Sequence, residues 1–150
     1  MNLETTERAP ARVPLHLWII GVVALLWNAV GAYDYLMTQT RNEAYMSQFT
    51  PEQLDYFYGF PAWVVATWAI AVWGGVLGSI LLLLRRRLAV PVFAVSLAAM
   101  VITTIYNYAL SGGHQVMGGP GPLLFSIAIF LVSVGLLFYA RAMAARGVLR

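Results

Sequence analysis

Three amide or carboxylate side chains occur inside long apolar segments of the sequence: Asn28, Asp34 and Asn107. Thr103 precedes Asn107 by one helical turn, so both would lie on the same face of a helix. Ionisable and amide groups inside a membrane are costly, and they usually face other helices or water. We therefore expect these four side chains to converge in one half of a helical bundle, where they could bind a ligand or one another.

Two tryptophans of the second apolar segment, Trp63 and Trp68, are expected beside this polar group. Aromatic faces next to amides and a carboxylate suit sugars and other small polar organic molecules, because sugar rings stack on them while hydroxyls form hydrogen bonds. The predicted ligand-binding residues are Asn28, Asp34, Trp63, Trp68, Thr103 and Asn107. A purely structural role explains them too: Asn28 would bond between helices, and Asp34 would be hydrated or paired with Arg41.

The sequence offers little for catalysis or metal binding. It has no cysteine, which excludes disulfides, thiol catalysis and thiolate metal sites. Its two histidines, His16 and His114, are predicted on opposite sides of the membrane and so could not share a metal or a haem. We also find no nucleophile paired with a base, no phosphate-binding loop and no dinucleotide fingerprint. We therefore predict no enzyme, no catalytic residue, no metal and no cofactor.

The composition is that of a membrane protein. Of the 150 residues, 61% are hydrophobic and 10% are charged, whereas soluble domains average about 45–50% apolar and about 25% charged residues. One crossing of the bilayer needs about 20 apolar residues, so four crossings and their loops use nearly the whole chain. The net charge is +3, and the arginines behind it lie at the ends of apolar segments, where basic residues set the topology. The expected partner is the lipid bilayer and not nucleic acid.

We predict an all-α membrane protein, a bundle of four transmembrane helices. The helices are expected at about residues 15–37, 61–84, 88–110 and 123–143, between tails at 1–14 and 144–150. In the first loop, Thr50-Pro51-Glu52-Gln53 has the pattern of a capping box with proline at the first helical position, which predicts a short interfacial helix to about Tyr58. The glycines of residues 111–122 make a continuous helix unfavourable there. The first helix is too long for a signal peptide and should be retained.

Arginine placement gives the expected orientation, because cytoplasmic flanks are enriched in basic residues. Arg85-Arg86-Arg87 follows the second helix, and further arginines follow the fourth, whereas the third loop has none. Both termini are therefore expected in the cytoplasm, in a bacterial inner membrane. In this topology seven of the eight tyrosines lie on the outer side, either as interfacial anchors or as an aromatic-lined mouth.

Small and polar residues recur at three- and four-residue spacing, which predicts close contacts between helices. These seams are Gly21, Ala24, Asn28, Gly31 and Tyr35 in the first helix, Thr67, Ala71, Gly75 and Ser79 in the second, and Ser96, Ala99, Thr103 and Tyr106 in the third. Gly74 and Gly78 add a GxxxG pair, for which we favour packing within the chain over dimerisation. Residues 32–37 and 105–110 are similar, as a parallel repeat would require.

Several stretches resemble a known family: Leu26-Trp27-Asn28, Gly31-Ala32-Tyr33-Asp34-Tyr35, residues 37–41 and 57–63, and Trp73-Gly74-Gly75. Over about residues 15–110 they resemble a family of small proteobacterial four-helix membrane proteins that are often labelled "sugar transporter" and are DoxX-like in general build. The resemblance implies the fold and points to transport. It carries over no catalytic or binding residues.

Two functions are expected. The first, which we favour, is a carrier or facilitator of a small polar solute such as a sugar; with only four helices it would act as a homo-oligomer, for which the glycine-rich face of the second helix offers a contact. The second is a non-transporting subunit that binds a partner membrane protein, a quinone or lipid, and whose polar residues only hold the bundle together. Asp34 is the only acidic residue in a predicted span, and no lysine or arginine is expected in the interior of the membrane, so proton coupling would depend on Asp34 alone.

Overall fold

The apolar segments form four helices that are each long and apolar enough to cross a membrane. The structure is a computed structural model that describes residues 12–150; residues 1–11 of the expected tail lie outside this range. In chain order the helices are α1 (Leu15–Gln39), α2 (Glu43–Met46), α3 (Pro51–Tyr58), α4 (Ala62–Leu83), α5 (Ala89–Ile105), which continues as a π-helical turn (Tyr106–Leu110), α6 (Gly113–Met117) and α7 (Gly121–Ala145).

The connecting segments define two different ends of the bundle. We call the end formed by residues 40–61 and 111–120 the loop end, and the end formed by residues 84–88 and 146–150 the arginine end. At the loop end, α3 begins with the predicted capping box, in which the Thr50 hydroxyl accepts the Gln53 N–H and the Gln53 side chain accepts the Thr50 N–H. The short helices α2 and α6 were not predicted, because each spans little more than one turn and has no periodicity.

The closest contact between α1 and α4 lies at Gly75. A Cβ atom at this position would overlap Oδ1 of Asn28, so a larger residue would displace the Asn28 side chain. The Asn28 amide donates to the Ala24 carbonyl at 2.8 Å and to the Ser79 hydroxyl at 3.3 Å, and Ser79 donates to the Gly75 carbonyl at 2.8 Å. The seam predicted for the first helix therefore faces α4, and Asn28 has the bridging role of an interhelical hydrogen bond.

The neighbouring face of α4 packs against α5. A Cβ atom at Gly78 would lie 2.7 Å from the Phe93 ring, and one at Gly74 would lie 3.0 Å from Cβ of Ser96. The Ser96 hydroxyl donates to the Ala71 carbonyl across this contact, at 2.6 Å. The GxxxG pair therefore packs within the chain. The glycine-rich face that was considered for a contact between subunits is occupied by α5.

Helix α7 packs against α5 and leaves a groove along α1. The groove has a volume of about 510 Å³, and its walls are almost entirely apolar, including Val23, Trp27, Gly135 and Leu136. Side chains bridge α1 and α7 at both ends of it: the Trp27 and Phe125 ring centroids are 6.0 Å apart, and His16 is hydrogen-bonded to Tyr139.

Residues 147–150 fold back over the arginine end. The Arg87 N–H donates to the Arg150 carbonyl at 3.0 Å, and the Arg150 N–H donates to the Arg85 carbonyl at 2.8 Å. Val148 and Leu149 are 2% and 1% exposed, in the core cluster that closes this end. The segment expected as a tail is thus part of the folded bundle, because it carries two adjacent apolar residues that reach this core.

Arginine side chains reinforce this closure. The Arg85 guanidinium donates to the Val148 carbonyl, and that of Arg87 donates to the Leu149 carbonyl, both at 3.2 Å. These carbonyls follow the C-terminus of α7, where backbone acceptors have no partner within the helix and a positive charge is favourable. Arg85 and Arg87 therefore have a structural role as well as their expected role in topology.

We expect Gly75→Ala to lower the free energy of unfolding by about 1–3 kcal/mol, as overpacking of a tight contact does. Adding Asn28→Ala should recover part of this loss, because it removes the atoms that the new methyl group meets. Gly135→Ala is the control, since a Cβ atom there meets nothing within 4 Å. Unfolding in mixed micelles measures all variants, and equal losses for Gly75→Ala and Gly135→Ala would contradict the packing described.

We expect Arg85→Gln to destabilise the arginine end by about 1 kcal/mol, because a charge-assisted hydrogen bond to the Val148 carbonyl is lost. Arg86→Gln removes the same charge from an exposed side chain and should have little effect. Amide exchange of residues 147–150 is the measurement. Similar exchange in the two variants would show that net charge, and not this hydrogen bond, holds the segment.

Candidate functional site

A cavity of about 290 Å³ lies at the loop end of the bundle. It is bounded by α1, α3, α4, α6, α7 and the π-helical turn after α5. Its volume is at the lower end of the roughly 300–1,000 Å³ that small-molecule sites occupy. Seven of its fifteen lining residues are aromatic: Phe49, Tyr56, Phe57, Phe60, Trp68, Tyr108 and Phe125. The polar lining residues are Asp34, Thr38, Thr103, Asn107 and Ser126.

Four of the six predicted ligand-binding residues line this cavity: Asp34, Trp68, Thr103 and Asn107. They come from α1, from α4 and from α5 with its π-helical turn. Polar side chains inside a membrane usually face other helices or water, which is why these residues were expected to converge. Ligand binding by these residues remains a prediction, but the structure brings them to one place.

Asn28 and Trp63 are not part of the cavity wall. Asn28 lies six residues before Asp34, about 9 Å along the helix axis, and it faces α4. Trp63 lies five residues before Trp68, which turns it by about 140° around α4. Its side chain is 49% exposed and packs on Tyr106, with ring centroids 5.5 Å apart.

Residues 43–58, which we call the lid, cover the cavity and are fastened by two tyrosines. The Tyr45 hydroxyl donates to the Asp34 carboxylate, and the Tyr56 hydroxyl donates to Oδ1 of Asn107 at 2.8 Å. Tyr56 can approach Asn107 so closely because Gly113 has no side chain: a Cβ atom there would overlap the hydroxyl. Each end of the lid is therefore tied to a different transmembrane segment.

Burial raises the pKa of both lid tyrosines, and for Tyr45 the hydrogen bond to the neighbouring Asp34 carboxylate raises the pKa further. The protonated hydroxyl is thus the form that the folded state favours. The stability that it contributes is complete below the ordinary tyrosine pKa of about 10 and is lost as the pH rises through the raised value. Both tyrosines remain hydrogen-bond donors throughout the neutral range.

Aromatic rings connect the lid to the transmembrane helices. Phe60 lies at the centre, with its ring centroid 5.1 Å from that of Tyr56, 6.0 Å from Trp68 and 5.7 Å from Tyr106. All three pairs are edge-to-face, an arrangement that aromatic pairs favour. The Tyr35 ring, in turn, packs edge-to-face on Trp68 at 4.8 Å. Sequence reasoning did not select Phe60, although the aromatic density of residues 56–60 signalled it.

The tyrosines that were predicted on the outer side divide between the two expected roles. Tyr56 and Tyr108 line the cavity, as an aromatic mouth would require, whereas Tyr33 is 55% exposed, as an interfacial anchor would be. Tyr58 lies under the guanidinium of Arg41, 4.2 Å from it. Arg41 is thus engaged with a ring of the lid and not with Asp34, the pairing that the sequence left open.

Asp34 is the only ionisable carboxylate in the cavity wall, and within the described residues no arginine lines it. Tyr45 donates to Oδ1 of Asp34. Asp34 is only partly buried and lines the cavity, so part of this side chain is accessible. The cavity therefore combines aromatic walls with one exposed negative charge.

Metal binding and acid–base catalysis find little support in this arrangement. Between residues 12 and 150, no three or more histidine, aspartate or glutamate side chains form a group that could hold a metal ion. The Thr103 hydroxyl lies 2.9 Å from both the Ala99 carbonyl oxygen and the Thr67 hydroxyl oxygen.

No protein-family model, no curated protein and no solved structure matches this chain. The resemblance to four-helix proteins labelled "sugar transporter" thus stays an expectation from the sequence.

We expect Tyr56→Phe to open the lid more often, because the variant loses the hydroxyl bond to Asn107, worth about 0.5–1.5 kcal/mol. Hydrogen exchange of the α3 amides should accelerate by about three- to tenfold. Tyr58→Phe is the control, because its ring stays available to Arg41. Unchanged exchange in Tyr56→Phe would show that aromatic packing alone holds the lid.

Proposed function

We propose that this chain is a multi-pass membrane protein that binds a small organic solute in the loop-end cavity and carries it across the bilayer. The observation that supports this proposal is the cavity itself, with its aromatic walls and its accessible carboxylate. The sequence favours a bacterial inner membrane with both termini in the cytoplasm, so the cavity and α3 would face the outer surface. The proposed functional unit is a homo-oligomer.

Two polar groups in the cavity remain available to a solute. One is the second oxygen of Asp34, and the other is the Asn107 amide nitrogen, since only Oδ1 of that side chain accepts the Tyr56 hydroxyl. A bundle that needed these residues only for packing would bury both groups against partners. Their accessibility therefore favours a binding site over a purely structural bonding role.

Carriage requires a second conformation, because the arginine end is closed. Leu17, Leu82 and Met143 are almost completely buried there, and residues 147–150 cover them. Helix α7 is the element that could move with least loss of packing, since the groove already separates it from α1. An opening between these two helices is the transition that we propose for solute release.

The groove favours a second candidate function, the non-transporting subunit. Its volume of about 510 Å³ and its apolar walls suit the tail of a quinone or an acyl chain. In this alternative the loop-end cavity would stay closed and α1 and α7 would hold the lipid.

We expect at least one small solute to raise the melting midpoint of the purified protein, since a ligand present at 100 times its Kd stabilises by about 2.7 kcal/mol. The panel consists of sugars, polyols, organic acids, amines and a short-chain quinone. Trp68→Leu should abolish the shift. Trp73→Leu, the same change at an exposed position of α4 outside the cavity, should preserve it.

The outcomes separate the two candidates. A shift that only the quinone produces, and that Gly135→Leu abolishes by filling the groove, would support the non-transporting subunit. A flat panel would contradict solute binding. Uptake of the active solute into reconstituted vesicles then distinguishes a carrier from a binding protein that does not transport.

A further inference from the structure

The charge of the cavity narrows the class of solute, if the proposed function holds. Asp34 supplies one negative charge, and its position in α1 places the carboxylate against the lid and away from the arginines at the opposite end. Arg41, which follows α1, is engaged with the Tyr58 ring. An anionic solute would meet repulsion without a compensating cation.

Aromatic rings line the same cavity as this charge. Trp68, Phe60, Phe57 and Tyr56 all line the same cavity. The face of an aromatic ring attracts cations, most strongly for tryptophan and when the cation is removed from water. A cavity that combines a carboxylate with several aromatic rings therefore suits an organic cation: the carboxylate balances its charge, and the rings contact its alkyl groups.

The remaining polar groups are poor partners for a sugar. Tyr108 is hydrogen-bonded to Ser126 at 2.8 Å, and the Thr103 hydroxyl is within hydrogen-bond distance of the Ala99 carbonyl and the Thr67 hydroxyl. These hydroxyls therefore have their hydrogen atoms engaged within the protein. A polyol would bring many donors and acceptors into a cavity that offers few free ones, and unpaired polar groups are costly to bury.

We infer that the loop-end cavity selects small organic cations, such as substituted ammonium ions, with Asp34 as the counter-charge and the aromatic wall as the surface that holds the alkyl groups. This inference replaces the neutral sugar of the sequence expectation with a charged solute of similar size. It also gives Asp34 two tasks, because the same carboxylate fastens the lid through Tyr45.

The test compares choline with dimethylbutanol, its neutral isostere in which carbon replaces nitrogen. Calorimetric titration of the full-length protein in nanodiscs should show choline binding at least about tenfold more tightly, the ratio expected when a desolvated cation–π contact is added. The comparison uses the wild-type chain, so it does not depend on the folding of a variant. Equal affinity for the two compounds would overturn the inference.

The variant Asp34→Asn tests whether the Asp34 carboxylate is the counter-charge of the bound cation. We expect choline affinity to fall by about tenfold or more while dimethylbutanol binding changes little, because only the charge is removed. Asp55→Asn is the matched control: it removes the same charge from an exposed position of the lid that does not line the cavity. Equal losses in both variants would mean that distant surface charge, and not the cavity, attracts the cation.

Binding of a sugar or an organic acid that depends on Trp68, with no binding of choline, would overturn the cation inference and leave the proposed function intact. If neither choline nor any member of the solute panel binds, both the inference and the proposed function fail.

Discussion

The contact between α1 and α4 at Gly75 determines how the rest of the bundle can be arranged. Inside a bilayer the helices gain little from hydrophobic burial against one another, so close packing and hydrogen bonds must hold them together. Gly75 lets the two backbones approach, and Asn28 fills the space with an amide that bonds to both helices. This contact fixes the register of α1 against α4. Asp34 and Trp68 reach the same cavity because of that register.

The two ends of the bundle are built on different principles. The arginine end is closed by aliphatic side chains and by backbone hydrogen bonds between residues 85–87 and 150. The loop end is covered by aromatic rings and by two tyrosine hydroxyls. At the arginine end Leu17 and Leu82 are completely buried, whereas a cavity of about 290 Å³ lies among the rings at the loop end.

The hydropathy of the sequence predicted the four long helices. The capping-box pattern predicted α3, and the spacing of small residues predicted the packing of Gly74 and Gly78. These features depend on neighbours along the chain. Asn28 and Trp63 were predicted beside the other polar residues, but they do not line the cavity. Two residues on different helices meet only if both their depth along the bundle and the direction of their side chains agree, and the sequence does not give both. The lid and the fold-back of residues 147–150 depend on contacts between distant segments. Aromatic and apolar content hinted at both, but no local pattern specified them.

Fastening of the lid to Asp34 and Asn107 has a kinetic consequence. A cover held by two hydroxyl bonds slows entry and exit by the same factor when its opening limits both. Tyr45 and Tyr56 would then influence the residence time of an occupant. Tyrosine hydroxyls are protonated at neutral pH, and burial raises the pKa of these two further, so both remain donors there. Because Asp34 and Tyr56 fasten the lid and also line the cavity, the same residues would affect both the rate of exchange and the strength of binding.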